Sequence, residues 1–300
     1  MLWFECPGSA ESNGDELDPM IICLDTSAVN HLYDDPEREV VITGLLASSR
    51  VYVTALNVIE ACGTRERSRR ESLLRLEKRL ARDFHPLEIP LKLLGNLAIA
   101  HSQHQVCAMF TIGDDVDGIW HVLDDPSKAD EEIRVGTMGW QESLEEPFKQ
   151  SHREARLRFQ ERFESGAAER PRSGADLIRS ICREDQLLSD HVAPMYKKFT
   201  GIDISNAELR QFLNERPEWV LHFLGWVYSM RRRAVQEGGY GQRRNAGTVD
   251  LWCAVYLPYC DCFVTDDVGQ RRALRVLNVF NPRRTKINSY VELRRRLLVN

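Results

Sequence analysis

Carboxylates at four places in the chain stand where short apolar runs end or helices begin. Asp25 closes the run Met20-Ile-Ile-Cys-Leu24 and is followed by Thr26-Ser27. Glu60 opens a helical stretch after the run Arg50-Val-Tyr-Val-Thr54. Asp250 and Asp267 flank a third run, Cys262-Phe-Val-Thr265, which leads into Asp266-Asp267. In an open parallel sheet, active sites form beyond the carboxyl ends of the strands. Acids delivered there from distant parts of a chain converge and repel one another unless a cation neutralises them. Hard oxygen donors of this kind suit Mg²⁺ or Mn²⁺. The chemistry that follows is metal-assisted phosphodiester hydrolysis.

Each acid also has a plainer reading. Asp25 and Asp250 suit helix caps, Glu60 suits a first-turn acid, and Asp266-Asp267 suits a turn. What these readings leave unexplained is the ordered recurrence of an acid at each strand or helix boundary, which favours a site.

The same segments carry a family resemblance. Met20 to Asn30, with an apolar strand ending in Asp-Thr-Ser, resembles the opening of a PIN-domain nuclease. Val53-Thr-Ala-Leu-Asn-Val-Ile-Glu60 is similar to the segment that delivers that family's second acid. Thr248-Val-Asp250, then Cys262-Phe-Val-Thr-Asp-Asp267, resembles its closing helix and strand with the third and fourth acids. The resemblance implies a PIN-like three-layer α/β fold with a parallel sheet and one or two Mg²⁺ or Mn²⁺ ions on Asp25, Glu60, Asp250 and Asp267. Thr-x-Asp spacing points to Asp267 ahead of Asp266 as the fourth ligand. Ser27 and Thr265 would be hydroxyls holding the carboxylates or metal-bound water. The implied activity is an endoribonuclease of toxin or defence type, acting on RNA and open to an inhibitory protein partner. A structure-selective DNA nuclease and a non-catalytic PIN-like scaffold for RNA or protein are the alternatives.

The chain departs from compact relatives in spacing, because residues 106–244 separate the two acid-bearing halves. The expected organisation is a tail over 1–19, a first half over 20–105, a helical insertion over 106–244 and a second half over 245–300. In the first half, strand–helix alternation argues a parallel sheet with crossover helices. Leu73, Leu74, Leu76 and Leu80 predict an amphipathic helix over 66–82, Pro86-Leu-Glu-Ile-Pro90 a short strand, and 91–105 a further helix. Within the insertion, Trp219 to Tyr228 is apolar nearly all round and predicts a buried centre. His101 and His104 share a helix face, but no spacing completes a metal set around them.

The net charge of −5 hides an asymmetry, since residues 231–300 carry 14 basic residues against 6 acids. Two proposed ligands therefore lie in a segment of net +8. Guanidinium forks suit phosphate oxygens, which assigns backbone contact to Arg243-Arg244 and Arg271-Arg272 first. The competing reading is compositional, because arginine exceeds lysine 33 to 7 along the whole chain. Eight scattered cysteines offer no zinc spacing and fit a reduced, cytoplasmic protein, with Cys23, Cys62 and Cys253 as small buried hydrophobes. No apolar run reaches membrane-span length, so no membrane association is expected.

Overall fold

The computed structural model describes residues 19–82, 85–107, 121–140, 185–235 and 248–299, with a few isolated positions between them. The expected tail, the Gly-rich return at 238–241 and Arg243-Arg244 lie outside the described residues.

Four parallel strands form one sheet in the order β2-β1-β3-β4: β1 Met20–Leu24, β2 Ser49–Tyr52, β3 Cys262–Val264 and β4 Lys286–Asn288. The chain is thus α/β with an all-parallel sheet, as the strand–helix alternation predicts. Parallel neighbours require crossovers, and helices supply them. Helices α1 (Thr26–Asp34) and α2 (Arg38–Ser48) join β1 to β2. They are followed by α3 (Ala55–Gly63), α4 (Arg67–Ala81) and α5 (Pro90–Ser102). Next come α6 (Asp185–Thr200), α7 (Asn206–Glu215), α8 (Pro217–Val235) and the short α9 (Thr248–Trp252). A 3₁₀ segment, Cys253–Tyr259, continues α9 toward β3. Helix α10 (Val268–Leu277) links β3 to β4, and α11 (Tyr290–Val299) closes the described chain.

Strand periodicity divides the core into two layers. Cys23 and Phe263 face one cluster with Leu94 of α5, Tyr196 of α6, Phe212 of α7 and Trp219 of α8. Ile22, Leu24, Cys262 and Val264 face the other, with Leu32 of α1, Leu45 of α2, Leu74 of α4 and Leu293 of α11. Both faces of the sheet are covered, so the strands read as continuous apolar runs rather than as alternating ones.

The 66–82 prediction is met by α4, whose Leu73, Leu74, Leu76 and Leu80 are buried. The predicted strand at 86–90 is not formed. Leu87 makes one parallel bridge with Thr54, donating to Val53 O at 2.9 Å and accepting from Ala55 N at 2.8 Å. Proline at both ends removes the amides that a longer ladder needs, and Pro90 instead starts α5. Strand β4, three residues long, was not anticipated.

Trp219 is buried as expected. Its Nε1 donates to Leu94 O at 3.2 Å, and its ring meets Phe212 edge-on at 5.3 Å. Its cluster includes sheet residues, so α8 is a layer of the core. Replacing Trp219 with Ala should therefore cost about 3–5 kcal/mol. Urea unfolding should show one cooperative transition moved to lower denaturant. A biphasic curve, with the sheet surviving after α8 has melted, would contradict that arrangement.

Candidate acidic site

Asp25 follows the last residue of β1, and its backbone amide donates to Val264 O at 2.9 Å, extending the β1–β3 pairing by one residue. Its side chain caps α1. Oδ2 accepts from Ser27 N at 3.3 Å, Ser27 Oγ at 2.8 Å and Thr265 Oγ1 at 3.2 Å. Ser27 Oγ also accepts the Asp266 amide at 2.9 Å. Ser27 and Thr265 thus both donate to the Asp25 carboxylate. Burial pushes the Asp25 pKa up, against the lowering effect of its bonds to Ser27, Thr265 and Gln270.

Glu60 leaves α3 on its exposed side. The start of α3 is fixed by a capping box in which the Thr54 side chain and Asn57 satisfy each other's amides. Buried Asn57 also donates from Nδ2 to Thr26 Oγ1 at 3.4 Å, tying the first turn of α3 to that of α1. The Glu60 pKa is pushed up to about 8 by desolvation, then by Asp25, with a smaller contribution from Asp250, while Thr26 opposes the rise. The residue itself is solvent-exposed, so water screens part of this effect. Its proximity to two other acids is the sign of a shared site.

Asp250 sits on α9, where Gln270 Nε2 donates to its carbonyl at 2.9 Å. The approach of α9 to α8 is close at Gly225, where a Cβ would lie 3.2 Å from Leu251 O and would press the two backbones apart by a few tenths of an ångström. The Cys253 thiol beneath has its pKa raised first by burial and then by Asp25, Glu60 and Asp250 in turn. Three carboxylates from three separate elements therefore share one electrostatic neighbourhood.

The other two acids are engaged elsewhere. Exposed Asp267 caps α10, with Oδ1 accepting from Gln270 N at 2.6 Å, and its own amide donates to Thr265 Oγ1 at 3.2 Å. It joins Asp25 through the Thr265 hydroxyl. Asp266 Oδ1 accepts from Tyr290 N at 3.2 Å, and its buried Oδ2 lies 2.8 Å from His31 Nδ1 without a hydrogen bond. Among the described residues, no three carboxylate, histidine or cysteine side chains stand close enough to hold a metal ion.

Three residues at this site were not anticipated: Thr26, Asn57 and Gln270. Gln270 is buried and hydrogen-bonds Thr265 Oγ1, the Asp250 carbonyl and the Asp267 carboxylate, so it joins the parts of the second half. Asn57 and Gln270 each stand three residues after a capping Thr54 or Asp267, and that spacing was available in the sequence.

Behind the site, Glu77 of α4 is 1% exposed, and its Oε2 has no hydrogen-bond partner. Arg271 and Arg272 lie on the outer side of α10, whereas Arg283 is held by Asp261 at 2.7 Å and Arg294 by Asp35 at 2.7 Å. His101 bonds Tyr196 Oη at 2.9 Å. Cys23, Cys62 and Cys253 are buried, and the six described cysteines are thiols rather than disulfides. No described helix is long and apolar enough to cross a membrane. Comparison with protein-family models, with curated proteins and with solved structures finds no match to this chain.

Glu77 gives a stability prediction. Burial, and secondarily the charge of Glu60, raise its pKa well above the ordinary 4.5. The folded chain then keeps a proton that the unfolded chain releases, so folding weakens as pH rises above about 4.5, by at most about 1.4 kcal/mol per unit. Glu77→Gln cannot ionise. Its melting temperature relative to the native chain should climb steadily between pH 5 and pH 8. Parallel melting-temperature profiles over that range would assign Glu77 an ordinary ionisation.

Proposed function

We propose that this chain is a metal-dependent nuclease that hydrolyses phosphodiester bonds in RNA, with Asp25, Glu60 and Asp250 as its acidic centre and Asp267 beside them. The observation that carries this reading is the gathering of acids at the carboxyl end of the sheet: Ser27 and Thr265 hold Asp25, Gln270 ties Thr265 to Asp250 and Asp267, and Asp25 and Asp250 both push up the Glu60 pKa. Carboxylates crowded in this way are stabilised by a divalent cation, and their hard oxygens suit Mg²⁺ or Mn²⁺. When bound, such a cation supplies an activated water and neutralises charge on the scissile phosphate.

The chain's own residues set up the rest. Ser27 and Thr265 donate to one oxygen of Asp25 and so fix how the carboxylate is presented. Gln270 fixes α9, and with it Asp250, relative to Thr265 and Asp267. Arg271 and Arg272 place guanidinium charge one helical turn beyond Asp267, where the phosphates of a bound strand would be neutralised. The PIN-domain resemblance of the acid-bearing segments supports the same reading and favours an endoribonuclease of toxin or defence type over a DNA nuclease.

A second reading has its own observation. The described acids do not stand at ligating distances as they are. That favours a PIN-like scaffold that binds RNA or protein without cutting it.

End-labelled RNA and DNA incubated with the purified chain decide between the readings. Cleavage should require Mg²⁺ or Mn²⁺, stop with EDTA and favour RNA. Asp25→Asn should lower the rate at least about a hundredfold without lowering the metal-free melting temperature, since one repelling charge is removed. Cleavage undiminished in Asp25→Asn would refute the acidic centre, and no cleavage by the native chain with either metal would leave the scaffold.

A further inference from the structure

The outer face of α10 is not an ordinary charged helix surface. Val268, Arg271, Arg272, Arg275, Val276, Val279 and Phe280 line a groove of about 480 Å³. At helical spacing these positions recur on one face, so the groove runs the length of α10, about 15 Å from the end that Asp267 caps, and onto the 3₁₀ turn Asn278–Phe280. Val268 is 62% and Val279 56% exposed, and Phe280 is only partly buried. Among the described residues neither Arg271 nor Arg272 donates a side-chain hydrogen bond, while Arg275 is anchored on Ile287 O at 2.9 Å. The acid nearby, Glu292, interacts with Arg271 and Arg275 and is itself held by Ser289. Val276 and Phe280 also pack against the core, but Val268 and Val279 stand exposed beside the arginines, where a solvated basic face has no use for them. A polyanion whose apolar faces are bare does.

We infer that this groove binds a single strand of nucleic acid, with phosphates on Arg271 and Arg272 and unstacked bases on the floor formed by Val276, Val279 and Phe280. A duplex buries its base faces and would meet the arginines alone, whereas exposed bases stack on aromatic side chains regardless of sequence. The inference deepens the proposed nuclease reading, from which it takes the acidic centre as the place the strand reaches beyond Asp267.

Fluorescence anisotropy of the full chain in EDTA, with one oligonucleotide sequence as RNA strand, DNA strand and duplex, tests it apart from cleavage. One or both strands should bind at least about tenfold tighter than the duplex. Arg272→Ala should reduce the slope of log affinity against log salt by about 0.7, the loss of one phosphate contact on a single strand. Phe280→Leu keeps the apolar volume, so it should fold, yet weaken strand binding about fivefold or more with the salt slope unchanged. Duplex bound as tightly as strand, both variants binding like the native chain, or polyglutamate displacing the strand at equal charge would each overturn the inference. A chain that binds the strand in this way but never cuts it would refute the hydrolytic reading and leave the groove standing.

Discussion

The pairing of β1 with β3 is the constraint on which the rest of the molecule depends. Ile22, Cys23 and Leu24 pair with Cys262, Phe263 and Val264, bringing together residues 240 positions apart. The pair is anchored at its lower end by Asp261, whose carboxylate accepts from Ile21 N at 2.8 Å while its amide donates to Ile21 O, also at 2.8 Å. At the upper end, Asp25 N on Val264 O carries the register past the last strand residues. Closing so long a loop is entropically costly before any contact rewards it. The reward comes from burial on both faces: the six paired residues are all at most 1% exposed.

That register decides what stands at the carboxyl end. With Leu24 opposite Val264, the next residues, Asp25 and Thr265, fall side by side, and Ser27 reaches the Asp266 amide. A slip of one residue would turn Thr265 to the other face and leave Asp25 without one of its donors. The same geometry carries an opposing term. Asp25 and Asp250 both disfavour the ionisation of Glu60, and behind them the buried Glu77 has one carboxylate oxygen without a hydrogen bond. A chain selected for stability alone would hold neutral groups there. Strain of this kind is what functional sites retain and the surrounding core offsets.

How much of this was legible follows from how local each signal is. Strands β1, β2 and β3 are announced by apolar, β-branched runs ending in polar residues, and α4 by its leucine spacing, because both signals lie within a few residues. Strand β4 has only Ile287 turned into the core of its three residues, too little for a pattern. The bridge at Leu87 mimics a strand in sequence because Leu-Glu-Ile is bounded as strands are, yet its prolines cannot join a ladder. The positions of Asp25 and Asp266-Asp267 were legible from strand ends, whereas Glu60, expected to open a helix, is the sixth residue of α3, because Thr54 rather than the acid caps that helix. The acids' partners were less legible: that Asp266 turns to His31 and Tyr290, while Asp267 stays at the cap of α10, depends on α1 and α11 meeting there. Gln270 and Asn57 were readable as N3 residues of capping boxes, but their reach to Asp250 and Thr26 is a tertiary matter.

The helical layer between the two acid-bearing halves has to be understood in the same terms. Its α8 supplies Trp219 and Leu224 to a cluster that also holds Cys23 and Phe263, so it covers one face of the sheet. Through Gly225 it brings in α9, the element that carries Asp250. A compact chain could join the halves with a short connection only if some other layer covered Cys23, Tyr52 and Phe263. Here the intervening residues do that, and through Gly225 they pack on Leu251, the residue after Asp250. Changes in α8 that alter its separation from Leu251 therefore act on the acidic centre through backbone position, without touching a carboxylate. The long connection is therefore part of the fold's own core, and it positions the element that carries Asp250.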